Sequence, residues 1–259
     1  MEIGELFKDA LSYPIENVKH FVLIGIIFII ASLPTFAVAY NYDNTIAWAI
    51  FVIIEILLGL ILGGYEISII SYSTHNSDEA PNIEVTQDFI MGIKAAIVSI
   101  VYFIIPLIIV LIVAFLTGTV DTFISMFNTG VDTSAATGAI SSSLTPAILT
   151  GASVVGVVAV ILAILFSFFA LVAYCRLAEY DSLSEALNIA EVVRDIGRVG
   201  WLNFIVWFII LMIINVIIAL IASLLGFIPY IGVILAVFFM DTYALFFEAR
   251  ALGLMYSYS

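Results

Sequence analysis

Two carboxylates, Glu55 and Asp241, lie inside apolar stretches that are long enough to cross a bilayer. No Lys or Arg lies at their level to neutralise them. A carboxylate in hydrocarbon costs about 2.5–3.5 kcal/mol even on the lenient insertion scale, so it must be protonated, face water or bind a cation. Asn215 offers a neutral ligand nearby. These three residues predict a proton- or cation-binding site, the alternative being protonated acids that only join helices through hydrogen bonds.

The elements that must position these residues are six apolar stretches of about 20 residues or more, which is the length of a membrane-spanning helix. They cover residues 21–40, 45–65, 95–116, 146–174, 199–225 and 227–247. Glu55 is ten residues into the second span, or about 15 Å, and Asp241 is fourteen residues into the sixth, or about 21 Å. Both spans enter from the same side, so the two acids are expected within a few helical turns of each other in depth.

Composition supports a membrane protein and excludes several other classes. Hydrophobic residues make up 64% of the 259 residues and charged residues 10%, which excludes a soluble globular enzyme and a disordered chain. The continuous apolar runs exclude a β-barrel, whose strands would alternate. A net charge of −13 argues against nucleic-acid binding, which needs a basic surface.

The basic residues predict the topology. With six spans and the N-terminus inside, all seven Lys and Arg residues fall on the cytoplasmic side, and the outer connections 41–44, 117–145 and 225–226 carry none. Cationic loops resist translocation, so we expect a multi-pass protein of the cell membrane with both termini inside. The outer loop 117–145, rich in Ser, Thr and Gly, is either a functional lid or a flexible segment.

An amphipathic stretch precedes each odd-numbered span. The first has apolar residues at Ile3, Leu6, Phe7, Ala10 and Leu11, a helical spacing, and the others lie before spans three and five. The fold class is therefore all-α, with six transmembrane helices as three hairpins, each preceded by an amphipathic cytoplasmic helix. The alternative to a true threefold repeat is that any N-in protein of three hairpins gives this pattern.

Small residues and prolines predict local geometry within the spans. Gly59 and Gly63 form a G-x-x-x-G in the second span, which favours close helix packing within the chain or between two copies. Pro34 and Pro106 are expected to kink the first and third spans.

Enzymatic chemistry is not expected. The sequence has no H-E-x-x-H, G-x-S-x-G or P-loop motif, and neither His20 nor His75 lies in a metal-ligand cluster. We therefore predict no catalytic residues, no metal and no cofactor.

Several strings resemble a known family. They are ALSYPIENVK at 10–19, DFIMGIK at 88–94, SLSEALNIA at 182–190 and FFEARALGLMY at 246–256. Together they resemble a mainly archaeal membrane protein family known as domain of unknown function 4013. The resemblance implies a multi-span membrane protein from an archaeon and carries over no ligand residues. The second span departs from the expected pattern, because it ends GGYEISII with no basic residue following at once.

Two functions from different classes fit these features. The first is a carrier or binding protein for a small or lipid-like ligand, or for a coupling ion, that uses Glu55 and Asp241. The second is a membrane scaffold that docks a partner protein through its cytoplasmic helices or its outer loop. Membrane lipids are expected partners in both, and either function is compatible with a homo-oligomer.

Overall fold

The computed structural model describes residues 2–39, 44–120, 124, 146–229 and 231–258, which are helical with short connections and contain no strand. The helices are α1 Ile3–Glu16, α2 Val18–Ala31, α3 Leu33–Ala39, α4 Thr45–Thr74, α5 Val85–Leu116, α6 Pro146–Tyr180, α7 Leu183–Ala186, α8 Ile189–Val199, α9 Trp201–Gly226, α10 Gly232–Leu235 and α11 Thr242–Tyr256. A π-helical turn, Ala236–Asp241, joins α10 to α11.

The structure gives five to six candidate spanning helices, against the six that the sequence predicts, and the predicted first span 21–40 corresponds to α2 and α3. Five described helical segments are long and apolar enough to cross a membrane, namely Thr45–Thr74, Val85–Leu116, Gly151–Tyr180, Trp201–Gly226 and Gly232–Tyr256. A sixth candidate is the pair α1 and α2, whose axes are bent by 76°. The chain is thus a multi-pass helical membrane protein.

The first span is interrupted where the sequence predicted a kink. The helix stops at Ala31 and restarts at Leu33, so Pro34 lies in the first turn of α3, where its missing N–H leaves no hydrogen bond unmade. In the third span α5 continues as one helix through Pro106, and the kink expected there stays a prediction.

Only two of the three amphipathic stretches are separate helices. Asn17 ends α1 and Gly200, at φ +95°, ends α8 before the following span. The second stretch has no such break and is the first part of α5. The outer loop, whose role was left open, falls at 121–123 and 125–145 outside the described residues.

The chain forms two compact units, residues 1–98 with 171–259 and residues 99–170. In the first unit, α1 and α4 pack against α11 around a core of large side chains. The core aromatics Phe204, Trp207, Phe246 and Phe247 are fully buried. In the second unit most of the large apolar side chains are exposed, as expected for helices that face lipid.

Candidate functional site

The structure places Glu55 and Asp241 on exposed positions of α4 and of the π-helical turn. Neither forms a hydrogen bond or ion pair with any described residue. Nothing in the described chain joins the two acids, so a site shared by them stays a prediction. Asn215, the third predicted member, lies elsewhere, beside another carboxylate.

That other carboxylate is Glu248 in α11, and the Asn215 side chain of α9 lies close enough to interact with it electrostatically. Glu66 of α4 lies close enough to Glu248 for the two carboxylates to interact electrostatically. Three different spans thus bring two acids and one amide together. We call Glu66, Glu248 and Asn215 the acid-pair site.

The acid-pair site is part of the helix bundle and not of its water-exposed rim. Glu66 and Glu248 are both only partly exposed, although they lie near the ends of their spans. Neither forms an ion pair with any Lys or Arg that the structure describes. Their partial burial in the bundle does not fit the solvated role that is usual for an acid near a helix end.

The basic residue nearest to Glu248 in sequence forms its ion pairs with other acids. Arg250, two residues beyond Glu248, is 2% exposed and donates Nε to Asp9 Oδ1 at 2.7 Å and Nη2 to Asp78 Oδ1 at 2.8 Å. Its guanidinium also stacks on the Tyr13 ring at 4.9 Å. Burial raises the pKa of the Tyr13 phenol, so the ring stays neutral beneath the cation. Arg250 therefore holds α1 and the 75–84 connection against α11.

Arg176 makes a second buried ion pair of the same kind. It is 3% exposed and donates Nη1 to Asp195 Oδ2 at 2.6 Å and Nη2 to Glu185 Oε2 at 2.5 Å. The Tyr256 hydroxyl donates to the same Asp195 oxygen at 2.9 Å. The end of α6 and the end of α11 are thereby both tied to α8.

A third contact also joins the end of a span to an aspartate, but here a serine takes the place of the arginine. At the end of α4, the Ser68 hydroxyl donates to Asp88 Oδ1 at 3.0 Å, and Asp88 Oδ2 accepts the Glu84 backbone N–H at 2.9 Å. Asp88 is buried at 1% exposure. The end of each even-numbered span thus bonds to an aspartate in the amphipathic stretch that precedes an odd-numbered span, which supports a true threefold repeat. We call this face of the first unit, where α4, α6 and α11 end, the charged end.

A sequence signal for these contacts exists and was missed. A glutamate precedes each of the three aspartates by four residues, as Glu5/Asp9, Glu84/Asp88 and Glu191/Asp195. The pattern is short, and the residues that bond to the three aspartates, Ser68, Arg176 and Arg250, differ in type. The pattern consists of charged residues, so an analysis of apolar periodicity does not reveal it. Arg250 itself is buried, although an arginine near the end of a spanning helix more often reaches the headgroups.

Close helix packing occurs at other glycines than the predicted pair. A Cβ added at Gly59 or Gly63 would meet nothing within 4 Å. A Cβ at Gly64 would instead clash with the Asp88 backbone, and one at Gly92 would clash with the Leu60 carbonyl. The described chain therefore gives no intramolecular role to Gly59 and Gly63, and the crossing of α4 with α5 depends on Gly64 and Gly92.

Comparison with known proteins identifies a family but no function. Residues 47–227, more than half of the chain, match a family described as a protein of unknown function (DUF4013). No curated protein and no solved structure matches the chain. The matched segment contains Glu66 and Asn215, and Glu248 and Arg250 lie beyond it.

Proposed function

We propose that this chain, which belongs to the DUF4013 family, is a carrier whose acid-pair site binds a proton or a small cation that is coupled to the movement of a small or lipid-like ligand. The observation that carries the proposal is that two carboxylates from different spans lie close enough to interact electrostatically, with an amide near Glu248. In the part of the chain that the structure describes, neither is paired with a Lys or Arg. Two ionised carboxylates repel each other strongly in a low dielectric. A proton or cation between them removes that repulsion.

The arrangement of the neighbouring arginine supports this reading over simple helix association. Arg250 lies two residues from Glu248 but directs its guanidinium to Asp9 and Asp78. Residues two apart in a helix point to different faces, so this guanidinium does not neutralise the acid pair. That leaves the pair available for an exchangeable positive charge, which a coupling site requires.

The rival function is a scaffold that docks a partner protein and transports nothing. A scaffold needs the acid pair only as packing, so conservative amide replacements would leave its properties unchanged. The two functions therefore differ in how they respond to Glu66→Gln and Glu248→Gln.

Infrared difference spectroscopy of the purified protein tests the proton- and cation-binding step. The probes are a pH step and the addition of Na⁺ or K⁺, and the readout is the C=O stretch of protonated carboxylic acids. We expect a band that titrates with pH or shifts on cation addition, and that disappears in Glu66→Gln and in Glu248→Gln. Glu55→Gln is the matched control, because it removes the same group from an exposed position of the same helix.

Native mass spectrometry of the protein extracted gently from its membrane tests the ligand. A retained small mass that is lost in Glu66→Gln and Glu248→Gln but kept in Glu55→Gln supports the carrier. If both variants are folded, show wild-type spectra and retain the same masses, the carrier proposal fails. A co-purifying protein unaffected by either replacement would then favour the scaffold.

A further inference from the structure

Helix α8 has a surface that the proposed carrier does not use. The Asn188 side chain begins it by accepting the Glu191 backbone N–H at 3.4 Å, and Gly200 ends it. Its eleven residues give about three turns, enough to present distinct faces along its length.

The residues of α8 divide into three sectors at about 100° per residue. One sector is buried against the charged end and contains Val192, Asp195, Ile196 and Val199. The next sector is apolar but exposed, with Ile189 at 58% and Val193 at 38% exposure. The third sector is charged and contains Glu191, Arg194 and Arg198. A helix with a buried, an apolar and a charged sector is suited to the edge of a membrane protein, where core, lipid and water meet.

The exposed apolar sector is continuous in sequence with a lipid-facing surface. After Gly200 the chain enters the spanning helix α9, whose first residues Trp201 and Leu202 are exposed. Trp at the start of a spanning helix is typical of the membrane–water interface. Lipid is therefore the medium that α8 meets beside α9.

The two arginines of the charged sector keep most of their donors free. Arg194 and Arg198 have side chains that are 62% and 52% exposed. Arg194 uses only Nη1, toward Glu191, and Arg198 uses only Nη1, toward Asp195 at 2.9 Å. Each guanidinium has five N–H donors in a planar fork that matches the oxygens of a phosphate.

We propose that α8 is a phospholipid-binding helix, with Arg194 and Arg198 holding the headgroup phosphate and with Ile189 and Val193 contacting the upper acyl chain. The ligand is an anionic phospholipid of the leaflet at the charged end. Helix α1 is not suited to this role, because its exposed face carries Glu2, Glu5 and Glu16 beside Lys8.

Lipid retention measured by native mass spectrometry tests the assignment. The full-length protein is delipidated in detergent and titrated with phosphatidylglycerol, and the fraction of protein carrying lipid is compared among variants. Arg194→Gln combined with Arg198→Gln is expected to weaken retention about tenfold, since charge-assisted hydrogen bonds are lost. Lys8→Gln with Lys19→Gln is the matched control, and it removes the same charge from the same end without loss of retention.

Single variants and competitors make the outcome decisive. Arg194→Gln alone removes only an exposed pair, so a folded protein with reduced retention supports the assignment even if the double variant is unstable. If the folded Arg194→Gln variant and the folded double variant both retain as much lipid as the wild type, the assignment is overturned. Competition by inorganic phosphate as strong as by phosphatidylglycerol would assign the arginines to a free anion instead. A co-purifying protein that is lost in Val193→Ser, with lipid retained, would make the face a protein-docking surface.

Discussion

Arg250 shows how one side chain joins parts of the chain that lie far apart in sequence. Its guanidinium is bonded to Asp9 and Asp78, and Nη1 donates to the Ser77 carbonyl. These partners belong to α1 and to the connection after α4. The guanidinium is buried while its acids remain partly exposed, so the pair avoids the full cost of removing two charges from water.

Arg250→Ala is expected to destabilise the protein by about 2–4 kcal/mol, because it removes several charge-assisted hydrogen bonds and leaves a cavity above the Tyr13 ring. Thermal unfolding in detergent measures the change. Arg194→Ala is the control and should change stability by less than about 0.5 kcal/mol, since its ion pair is exposed. Equal shifts in the two variants would contradict a structural role for Arg250.

Helix packing at the crossing of α4 and α5 depends on backbone approach rather than on large side chains. Gly64 contacts the Asp88 backbone and Gly92 contacts the Leu60 carbonyl, each at a distance that leaves no room for a Cβ. The same crossing brings the Ser68 hydroxyl to the Asp88 carboxylate. A small change in the separation of the two helices would therefore also break this hydrogen bond.

Gly64→Ala is expected to destabilise the protein by about 1–3 kcal/mol, as overpacking of a tight contact does. Gly59→Ala, on the same helix but in open space, should be neutral or slightly stabilising because alanine favours helix. Chemical unfolding of both variants provides the comparison. A large loss of stability in Gly59→Ala would instead indicate that this face is packed against a second copy of the chain.

Sequence reasoning located the helices better than their contacts. Apolar length predicted the spans, and Pro34 predicted the break after Ala31, because both depend only on local chemistry. The predicted Gly59–Gly63 packing failed within the chain, since a glycine pair does not say which face meets a neighbour. Asn215 was predicted as a ligand beside Glu55 and Asp241, whereas its nearness to Glu248 depends on how three helices are arranged.

The first unit has one end rich in charged side chains, and the sequence predicts that end to be cytoplasmic. Asp78 and Glu185 lie at the charged end, each bonded to a buried arginine. Asn44 caps the opposite end of α4. All seven basic residues of the chain fall on the predicted inner side.

Cysteine labelling tests this orientation. In a Cys175→Ser background, Glu16→Cys and Glu79→Cys, both at exposed positions, should react with a membrane-impermeant maleimide only after the membrane is opened. Asn44→Cys should react in intact cells. Labelling of Glu79→Cys in intact cells would reverse the predicted topology, whereas the packing of the helices would stand.

The three contacts at the charged end also differ in when they can form during synthesis. Ser68 and Asp88 are 20 residues apart and Arg176 and Asp195 are 19 apart, whereas Arg250 and Asp9 are separated by 241. Two contacts can therefore close while the ribosome is still extending the chain. The third must wait until α11 has been made, and until then α1 lacks the contact of Phe7 with Phe247. Helix α1 thus leaves the ribosome long before it reaches its final place.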